Sequence, residues 1–332
     1  MKNYKKIGMT ALAASLVSTS AFAGAITVSG GASLGVGQYS GPLMNAGKSF
    51  SMGNELTFTG GGTLENGLNV AISMEIDQGK AASSNSPFEA QSLTISRDDL
   101  GTLVFAGVDG GSAGSQVHGT AAGNIWDNFD SAVSGGTSGA ARLGGGATDN
   151  SFKYTTPALV EGLNLFGSFN PTTAGKESYT GYGISYSGIA GLSASAAKQD
   201  VEGTANNLDG DQKAFKVSYA FGPITVAASD NDYKTGTGAN SGVAAGADVG
   251  QETRSYAISY TLSEAISVNY GIETLESGST SDQDAKFQTI GGSYTMGGMS
   301  FSAKMQDAEN VDHSTNAPAD QEYWFAGLSF AF

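Results

Sequence analysis

Side chains capable of covalent or metal chemistry are scarce in this sequence. The chain of 332 residues has no cysteine and only two histidines, His118 and His313. Without cysteine, disulfides, thiol nucleophiles, iron–sulfur clusters and cysteine-based zinc sites are excluded. Neither histidine has a recognisable catalytic or metal-ligand motif beside it. The sequence therefore predicts that the protein is not an enzyme. The candidate functional groups that remain are charged side chains acting through their electrostatic field.

One long segment without periodicity carries candidate charges. The segment 109–150 shows neither helix nor strand patterning, and unpatterned segments of such length in a compact domain are either functional or disordered. Trp126 and Phe129, three residues apart, predict a short helical turn that packs on a neighbouring surface. A solvated surface lid is the alternative interpretation. The charged residues of the segment that we select as candidates are Asp109, Asp127, Asp130 and Arg142.

The elements that must position these charges alternate with period two. In segment 26–36 the even-numbered residues are apolar or small, whereas the odd-numbered ones are polar or glycine. Segments 68–77 and 266–273 repeat the pattern. Successive side chains of a strand point to opposite faces, so the pattern predicts two-sided β-strands. Their length, near ten residues, is that of a tilted strand crossing a membrane, whereas a soluble sandwich usually has shorter strands.

Sixteen such strands can be placed along the chain, and their connections alternate between short and long. Tight turns such as 65–67, 187–191 and 221–223 carry the Gly, Asn and Pro of turn chemistry. The sequence therefore predicts an all-β fold, an antiparallel transmembrane barrel with short periplasmic turns and long extracellular loops. We place the strands at 25–37, 51–64, 68–77, 90–97, 102–108, 151–156, 163–169, 178–186, 192–199, 212–220, 224–229, 253–261, 266–273, 285–295, 299–306 and 321–332.

Composition and the amino-terminal segment agree with an exported membrane protein. Glycine contributes 49 residues, charged residues make up only 14%, and the formal net charge is −15. This acidity argues against a nucleic-acid partner, because phosphate binding needs clustered cations. Residues 1–23 have three lysines, an apolar stretch and Ala21-Phe22-Ala23, the layout of a cleaved signal peptide. The barrel domain is then 24–332, and without an apolar helix only a barrel could span a membrane.

Aromatic residues mark both the strand ends and the carboxyl terminus. Residues 324–332 alternate up to a final phenylalanine, and Phe330 and Phe332 are our candidates for an assembly signal. An apolar last strand suits a lipid-facing position better than a soluble surface. Tyrosines that precede tight turns predict an aromatic girdle at the membrane interface. These are Tyr154, Tyr186, Tyr219, Tyr260 and Tyr294.

On these features the sequence resembles the general-diffusion porins of Gram-negative bacteria, and the alphaproteobacterial trimeric porins in particular. The resemblance spans the mature chain and rests on the terminal Phe332, on residues 98–103 between two strands, and on residues 150–157 after the long segment. It implies sixteen antiparallel strands, a homotrimer, and a third loop folded into the lumen as a constriction. It also implies the outer membrane, with lipid, lipopolysaccharide and the barrel-assembly machinery as partners.

Strand parity places further charges in the lumen. Lys153, Lys216 and Lys304 are predicted to point inward, and we expect them on the wall opposite the loop. Together with the loop acids they would create a transverse field across a narrow aqueous gap. Each could instead be an ordinary solvated charge. Glu55, Glu75, Asp77 and Glu273 are also predicted to point inward.

Acidic residues are frequent in the stretches that we interpret as the later long loops, for example 200–212 and 229–252. Such a rim attracts cations and would allow calcium, or divalent bridges to lipopolysaccharide, although solvated charge is the alternative. No spaced calcium motif is present, so the metal ligands stay unassigned and no cofactor is required.

The function that these features favour is passive diffusion of small polar solutes and ions through the outer membrane, with a preference for cations. The alternative is a substrate-specific channel with an aromatic or binding patch in its lumen, for which Phe166, Tyr323 and Phe325 are lumen-facing candidates. A barrel enzyme and a soluble secreted adhesin are the remaining alternatives.

Overall fold

The computed structural model describes most of the chain between residues 26 and 332. The described ranges are 26–41, 48–77, 88–108, 110–130, 149–171, 178–202, 210–235, 251–277, 283–311 and 320–332. The predicted signal peptide, residues 1–23, lies outside them. Within these ranges, no helix is long and apolar enough to cross a membrane.

Sixteen antiparallel strands form a closed barrel in which every strand pairs with its sequence neighbours, as the sequence predicted. One four-residue helix, α1 (Asp127–Asp130), lies in the segment after β5. The strands are β1 (Thr27–Ser40), β2 (Lys48–Thr63), β3 (Asn69–Asp77), β4 (Ala90–Arg97), β5 (Gly101–Val108), β6 (Ser151–Thr155), β7 (Leu163–Asn170), β8 (Ser178–Tyr186), β9 (Leu192–Glu202), β10 (Gly210–Phe221), β11 (Ile224–Thr235), β12 (Gln251–Ser263), β13 (Ile266–Ser277), β14 (Ala285–Met296), β15 (Met299–Glu309) and β16 (Gln321–Ala331).

The barrel closes where the last strand meets the first. Leu34 of β1 is in register with Leu328 of β16. Beyond the end of β16, the Phe332 amide donates to the Gly30 carbonyl (3.0 Å), and the Gly30 amide donates to the Phe332 carbonyl (2.9 Å). The terminal residue thus supplies two of the hydrogen bonds that close the sheet. Closure is required in lipid, because an open sheet edge would leave backbone groups without partners.

The two faces of the barrel wall differ in polarity. Large apolar side chains lie exposed on the outer face, among them Leu34, Met52 and Ile72. Their chain neighbours point inward and are mostly Ser, Thr, Gly and Asn. Partners in an antiparallel register share a face, so the alternation is carried around the whole barrel. This arrangement suits lipid outside and water inside.

The tyrosines predicted to form a girdle lie together on the outer face near the short turns. Tyr219 is in register with Val226, and Tyr260 with Val268, both outward-facing pairs. Tyr154, Tyr219, Tyr260 and Tyr294 all keep a large exposed fraction. The Tyr154 hydroxyl donates to the Leu100 carbonyl in a short turn (2.6 Å). A ring against lipid with its hydroxyl on a polar turn is the expected interfacial arrangement.

Several strands extend further toward the long-loop end than the sequence predicted. The pattern ended the eleventh strand at residue 229, whereas β11 continues to Thr235, and β13 continues to Ser277. Asp230 and Asp232, which we assigned to a loop, therefore lie on β11, in register with Arg254 and Glu252 of β12. The prediction was wrong because the outer face turns from apolar to charged there, so the alternation of polarity disappears while the ladder continues.

Candidate functional site: a loop folded into the barrel

After β5 the chain enters the barrel, and residues 110–130 run along the inner wall from β7 toward β1. Backbone amides of this loop donate to lumen-facing serines on three different strands. These hydrogen bonds run from Ala113 N to Ser168 Oγ of β7 (2.7 Å), from Ala121 N to Ser229 Oγ of β11 (2.8 Å), and from Ala122 N to Ser255 Oγ of β12 (2.9 Å). The predicted third loop in the lumen is thereby confirmed.

Two apolar contacts attach the loop to this wall. Near its start, Ala113 and Val117 pack with buried Phe166, Ala197 and Ala214. Near its end, the segment around α1 makes a larger cluster with β13, β14 and β15. The members of that cluster are Ile125, Trp126, Phe129, Leu275, Ala285, Phe287, Ala308 and Val311. The predicted packing of Trp126 and Phe129 on the inner wall is therefore confirmed, and burial of these rings stabilises the loop against the wall.

Glycines on the wall allow the loop to approach closely. A Cβ atom on Gly271 of β13 would stand 2.6 Å from the Ala122 Cβ, and one on Gly181 of β8 would stand 3.0 Å from the Ala113 Cβ. Any larger side chain at Gly271 would collide with the loop backbone or displace it. Glycine inside a strand often marks such a close approach of another backbone.

Glu273 of β13 is the charged anchor of the loop. Its carboxylate is only 1% exposed. Oε1 accepts a hydrogen bond from Thr120 Oγ1, and Oε2 accepts one from the Trp126 amide (3.1 Å). Thr120 Oγ1 in turn accepts from the Asn124 amide (2.6 Å), which closes a tight turn at Asn124 (φ 55°). A buried carboxylate held by neutral donors is costly to leave unpaired, so this acid fixes the loop conformation.

Lys216 and Lys304 point into the lumen, but they contact the loop instead of facing it across a gap. Lys216 Nζ donates to the Thr120 carbonyl (3.2 Å), and Lys304 Nζ donates to Asn128 Oδ1 (3.3 Å). Our expectation that these two lysines lie on the wall opposite the loop is therefore wrong. Strand parity predicts which face of the sheet a side chain occupies. The path of the loop around the barrel is instead decided by the packing of the loop on the wall.

The remaining candidates are distributed as follows. Lys153 points inward from β6, half-buried and in register with Val104 and Ser168. Asp127 is exposed on α1. Asp130 is the last residue of α1, but its side chain, like all of Asp109 and Arg142, lies outside the described parts of the chain.

The wall formed by β2, β3 and β4 carries inward-facing carboxylates. Glu55 of β2 is in register with Asp77 of β3, and Glu75 lies two residues before Asp77 on the same face. Neighbouring inward residues on this wall are small and polar, such as Ser73 and Ser92. The lumen is therefore bounded by an acidic wall on one side and by the loop with its lysines on the other.

Of the two histidines, only His118 lies within the described residues. His118 lies in the loop, where Asn231 Nδ2 donates to its carbonyl (3.0 Å), and burial lowers the pKa of its imidazole. Among the described residues, no group of three or more His, Cys, Asp or Glu side chains is placed to hold a metal ion. His313 lies outside the described ranges.

The sequence profile of the Gram-negative porins matches residues 8–332. The chain belongs to the Gram-negative porin family. No curated protein matches it closely enough to be reported as a relative. Members of this family are non-enzymatic diffusion channels of the outer membrane, and the barrel described above has the corresponding fold.

Solved porin structures share the fold at low sequence identity. The chain is similar to the anion-selective porin from Comamonas acidovorans, with 18% identity, a TM-score of 0.68, and coverage of 93% of this chain and 99% of that one. It is also similar to OmpT of Vibrio cholerae in its trimer form (12% identity, TM-score 0.65, coverage 93% and 99%). An engineered Rh. blastica porin gives 17% identity, a TM-score of 0.61, and coverage of 93% and 100%.

Several residues that hold the loop of this porin against the wall were not recognised as such in the sequence. Glu273 was predicted to point inward, but its role as the loop anchor was not. The serines that accept from the loop, such as Ser229 and Ser255, have the same pattern as inward serines that face water. Gly271 is the one available signal, because an inward glycine amid larger residues indicates close approach of another chain segment.

Proposed function

We propose that this porin conducts small hydrophilic solutes and ions by passive diffusion with a preference for cations. The observation that carries the proposal is the distribution of charge in the described lumen. Glu55, Glu75 and Asp77 point inward from β2 and β3, and Asp127 is exposed on the loop. Of the inward lysines, Lys216 and Lys304 are held against the loop by hydrogen bonds to its oxygens.

Fixed charges act strongly only where the aqueous path is narrow. In open water at physiological salt, charges are screened over a Debye length of about 8 Å. In a constriction of similar width the low-dielectric walls focus the field, so each fixed carboxylate raises the local concentration of cations. The acidic wall and the loop bound the same lumen, and this geometry favours cations over anions.

The fold alone does not decide selectivity. The Comamonas porin, described as anion-selective, has the same barrel at 18% identity. The preference that we propose therefore rests on the side chains of this chain and on its formal net charge of −15.

We further propose that the porin assembles as a homotrimer in contact with outer-membrane lipid and lipopolysaccharide, after insertion by the barrel-assembly machinery. The trimer form of OmpT, at 12% identity, supports the oligomer, and Phe50 (85% exposed) and Met52 on the outer face of β2 offer apolar surface to lipid or to a second copy. The proposal requires no cofactor. Calcium at the acidic loops stays a prediction.

Reversal potentials in planar bilayers test the cation preference. With purified native protein and a tenfold KCl gradient, we expect the potential to have the sign of a cation-selective channel at low salt and to shrink at high salt. A potential of the opposite sign would overturn the preference. Absence of any conductance by folded protein would overturn the channel function itself.

A substrate-specific channel remains the second candidate, and one observation favours it. Three aromatic rings stack along the lumen: Phe325 with Tyr323 (centroids 6.5 Å apart), and Tyr323 with Tyr39 (4.3 Å). Tyr39 and Tyr323 pack partly against the loop cluster, and the part of this aromatic surface that borders the lumen is a candidate binding surface.

A further inference from the structure

A recess in the lumen lies between the loop and the wall formed by β13, β14, β15 and β16. Its volume is about 350 Å³, and the loop residues Ala122 and Gly123 form one edge of it. The wall supplies Lys304, Phe325, Asn269 and Gln306. A cavity of this size lined by one aromatic ring and a few polar side chains has the composition of a small-molecule site.

The aromatic side of the recess is fixed by glycines. Phe325 rests on the paired residues Gly35 and Gly327. A Cβ atom would stand 2.4 Å from the ring if added at Gly35 and 2.7 Å from it if added at Gly327, so only glycine leaves room for the ring. The ring therefore lies over the wall, and it remains partly exposed toward the recess. The ring plane of its neighbour Tyr323 is nearly parallel to it (25° between the ring planes). A ring held flat presents a π-face, which attracts the weakly positive C–H groups of a ligand.

The polar side of the recess offers amides and one ammonium group. Asn269 is exposed to the lumen, while Gln306 is 4% exposed and its Oε1 is buried with no hydrogen-bond partner among the described residues. Lys304 Nζ lies 5.6 Å from the Tyr323 ring centroid and donates to Asn128 Oδ1. The ammonium group is thus positioned by the loop and the ring, and its remaining N–H groups can still donate.

We propose that this recess is a binding subsite for an uncharged sugar of monosaccharide size. A pyranose has an apolar C–H face, which suits Phe325, and a rim of hydroxyls that both donate and accept, which suits Asn269, Gln306 and Lys304. A free anion is less well matched, since a single ammonium, already hydrogen-bonded to Asn128, is the only cation lining the described recess. The inference deepens the proposed channel function and rests on it, because the recess is reached through the lumen.

The test measures block of ion conductance by D-glucose in planar bilayers, with glycerol at matched viscosity as the reference. We expect glucose to reduce the conductance of the native protein saturably, beyond the reduction by glycerol. Asn269→Ala and Phe325→Leu should each raise the half-blocking concentration about fivefold, as expected for loss of one contact. The matched control is Asn69→Ala, an exposed asparagine on the inner face of β3 outside the recess, which should leave block unchanged.

The outcomes separate the subsite from the channel. A protein that conducts but shows no saturable block by glucose has no sugar subsite. Saturable block that survives both Asn269→Ala and Phe325→Leu, or that Asn69→Ala weakens equally, would place binding elsewhere and overturn the inference. Stronger block by sodium glucuronate than by glucose, abolished in Lys304→Gln, would show an anion site instead. Only a folded protein without conductance would contradict the proposed channel function itself.

Discussion

Glu273 and Glu276 lie three residues apart on β13 and therefore point to opposite faces of the strand, where their surroundings differ. Glu273 points inward, is buried, and holds the loop through Thr120 and the Trp126 amide. Glu276 points outward, about one-third exposed, and pairs with Arg254 (2.8 Å). Arg254 is shared with two further acids, Glu252 (2.5 Å) and Asp230 (3.5 Å).

The difference between these two acids shows how burial decides what a charge does. Exposed ion pairs contribute between about 0 and 1 kcal/mol, because water already solvates both partners. A buried carboxylate without its partners costs far more, since water cannot replace the lost donors. Buried contacts on the inner face of the barrel thus hold the loop that shapes the transport path. The outer face contacts lipid, so its side chains affect assembly in the membrane.

The largest effect is expected at the closure of the outer face. Phe332→Ser removes an apolar ring that is 72% exposed, while the backbone bonds to Gly30 remain possible. We expect a severe loss of folded protein in the outer membrane, measured by heat-modifiable gel migration of membrane fractions. Normal amounts of folded protein would refute a role of the terminal ring in assembly.

Deletion of residues 115–140 should give the next largest effect. It removes the stretch that carries Thr120, Trp126 and α1, so the lumen loses its narrowing while the strand ladder stays intact. We expect larger single-channel conductance and a higher size limit for sugar uptake into liposomes. If both stay at the native values, the loop does not form the constriction.

Glu273→Ala tests the buried acid directly. It leaves Thr120 Oγ1 and the Trp126 amide without their acceptor, at a cost of about 1–3 kcal/mol for each buried donor. We expect a loop that detaches intermittently, seen as transitions to a higher conductance level. Glu273→Gln keeps one acceptor and should be milder, and Glu276→Gln is the outer-face control. Equal channel noise in the Glu273 and Glu276 variants would show that burial makes no difference.

Ion preference should respond more modestly, and only to lumen charges. The double change Asp127→Asn with Asp130→Asn should shift the reversal potential away from cations, whereas Lys153→Gln with Lys304→Gln should shift it toward them. Asp230→Asn with Asp232→Asn is the matched control, because both carboxylates lie on the outer face. The measurement uses a tenfold KCl gradient at low and high salt. A control shift as large as that of the first pair at high salt would exclude the loop as the selective element.

The smallest effect is expected for Arg254→Gln on the outer face. Three carboxylates lose their shared partner, but all are partly solvated, so the change in thermal stability should stay within about 1 kcal/mol. Thermal melting of detergent-solubilised protein measures it. A larger loss would mean that this cluster is protected from water, for example by bound lipopolysaccharide.

Much of the barrel could be predicted from the sequence, because lipid and water impose period two on every strand. The order and number of strands were correct, and so was the inward direction of Lys153, Lys216 and Lys304. The upper ends of β11 and β13 were not, because the outer face becomes charged beyond the apolar band. Because both faces are polar there, the sequence of a strand shows no alternation of polarity that would distinguish it from a polar loop.

The sequence by itself determined which face each residue occupies, because alternation is a local property of the chain. Only the tertiary structure decided that the loop runs along β7 to β15, that Lys216 and Lys304 contact it, and that Glu273 is buried beneath it. These facts depend on contacts between residues more than a hundred positions apart, such as Thr120 with Glu273. Packing of Trp126 and Phe129 determines which part of the barrel wall the loop contacts. The alternating pattern cannot predict this, because it is the same on all sides of the barrel.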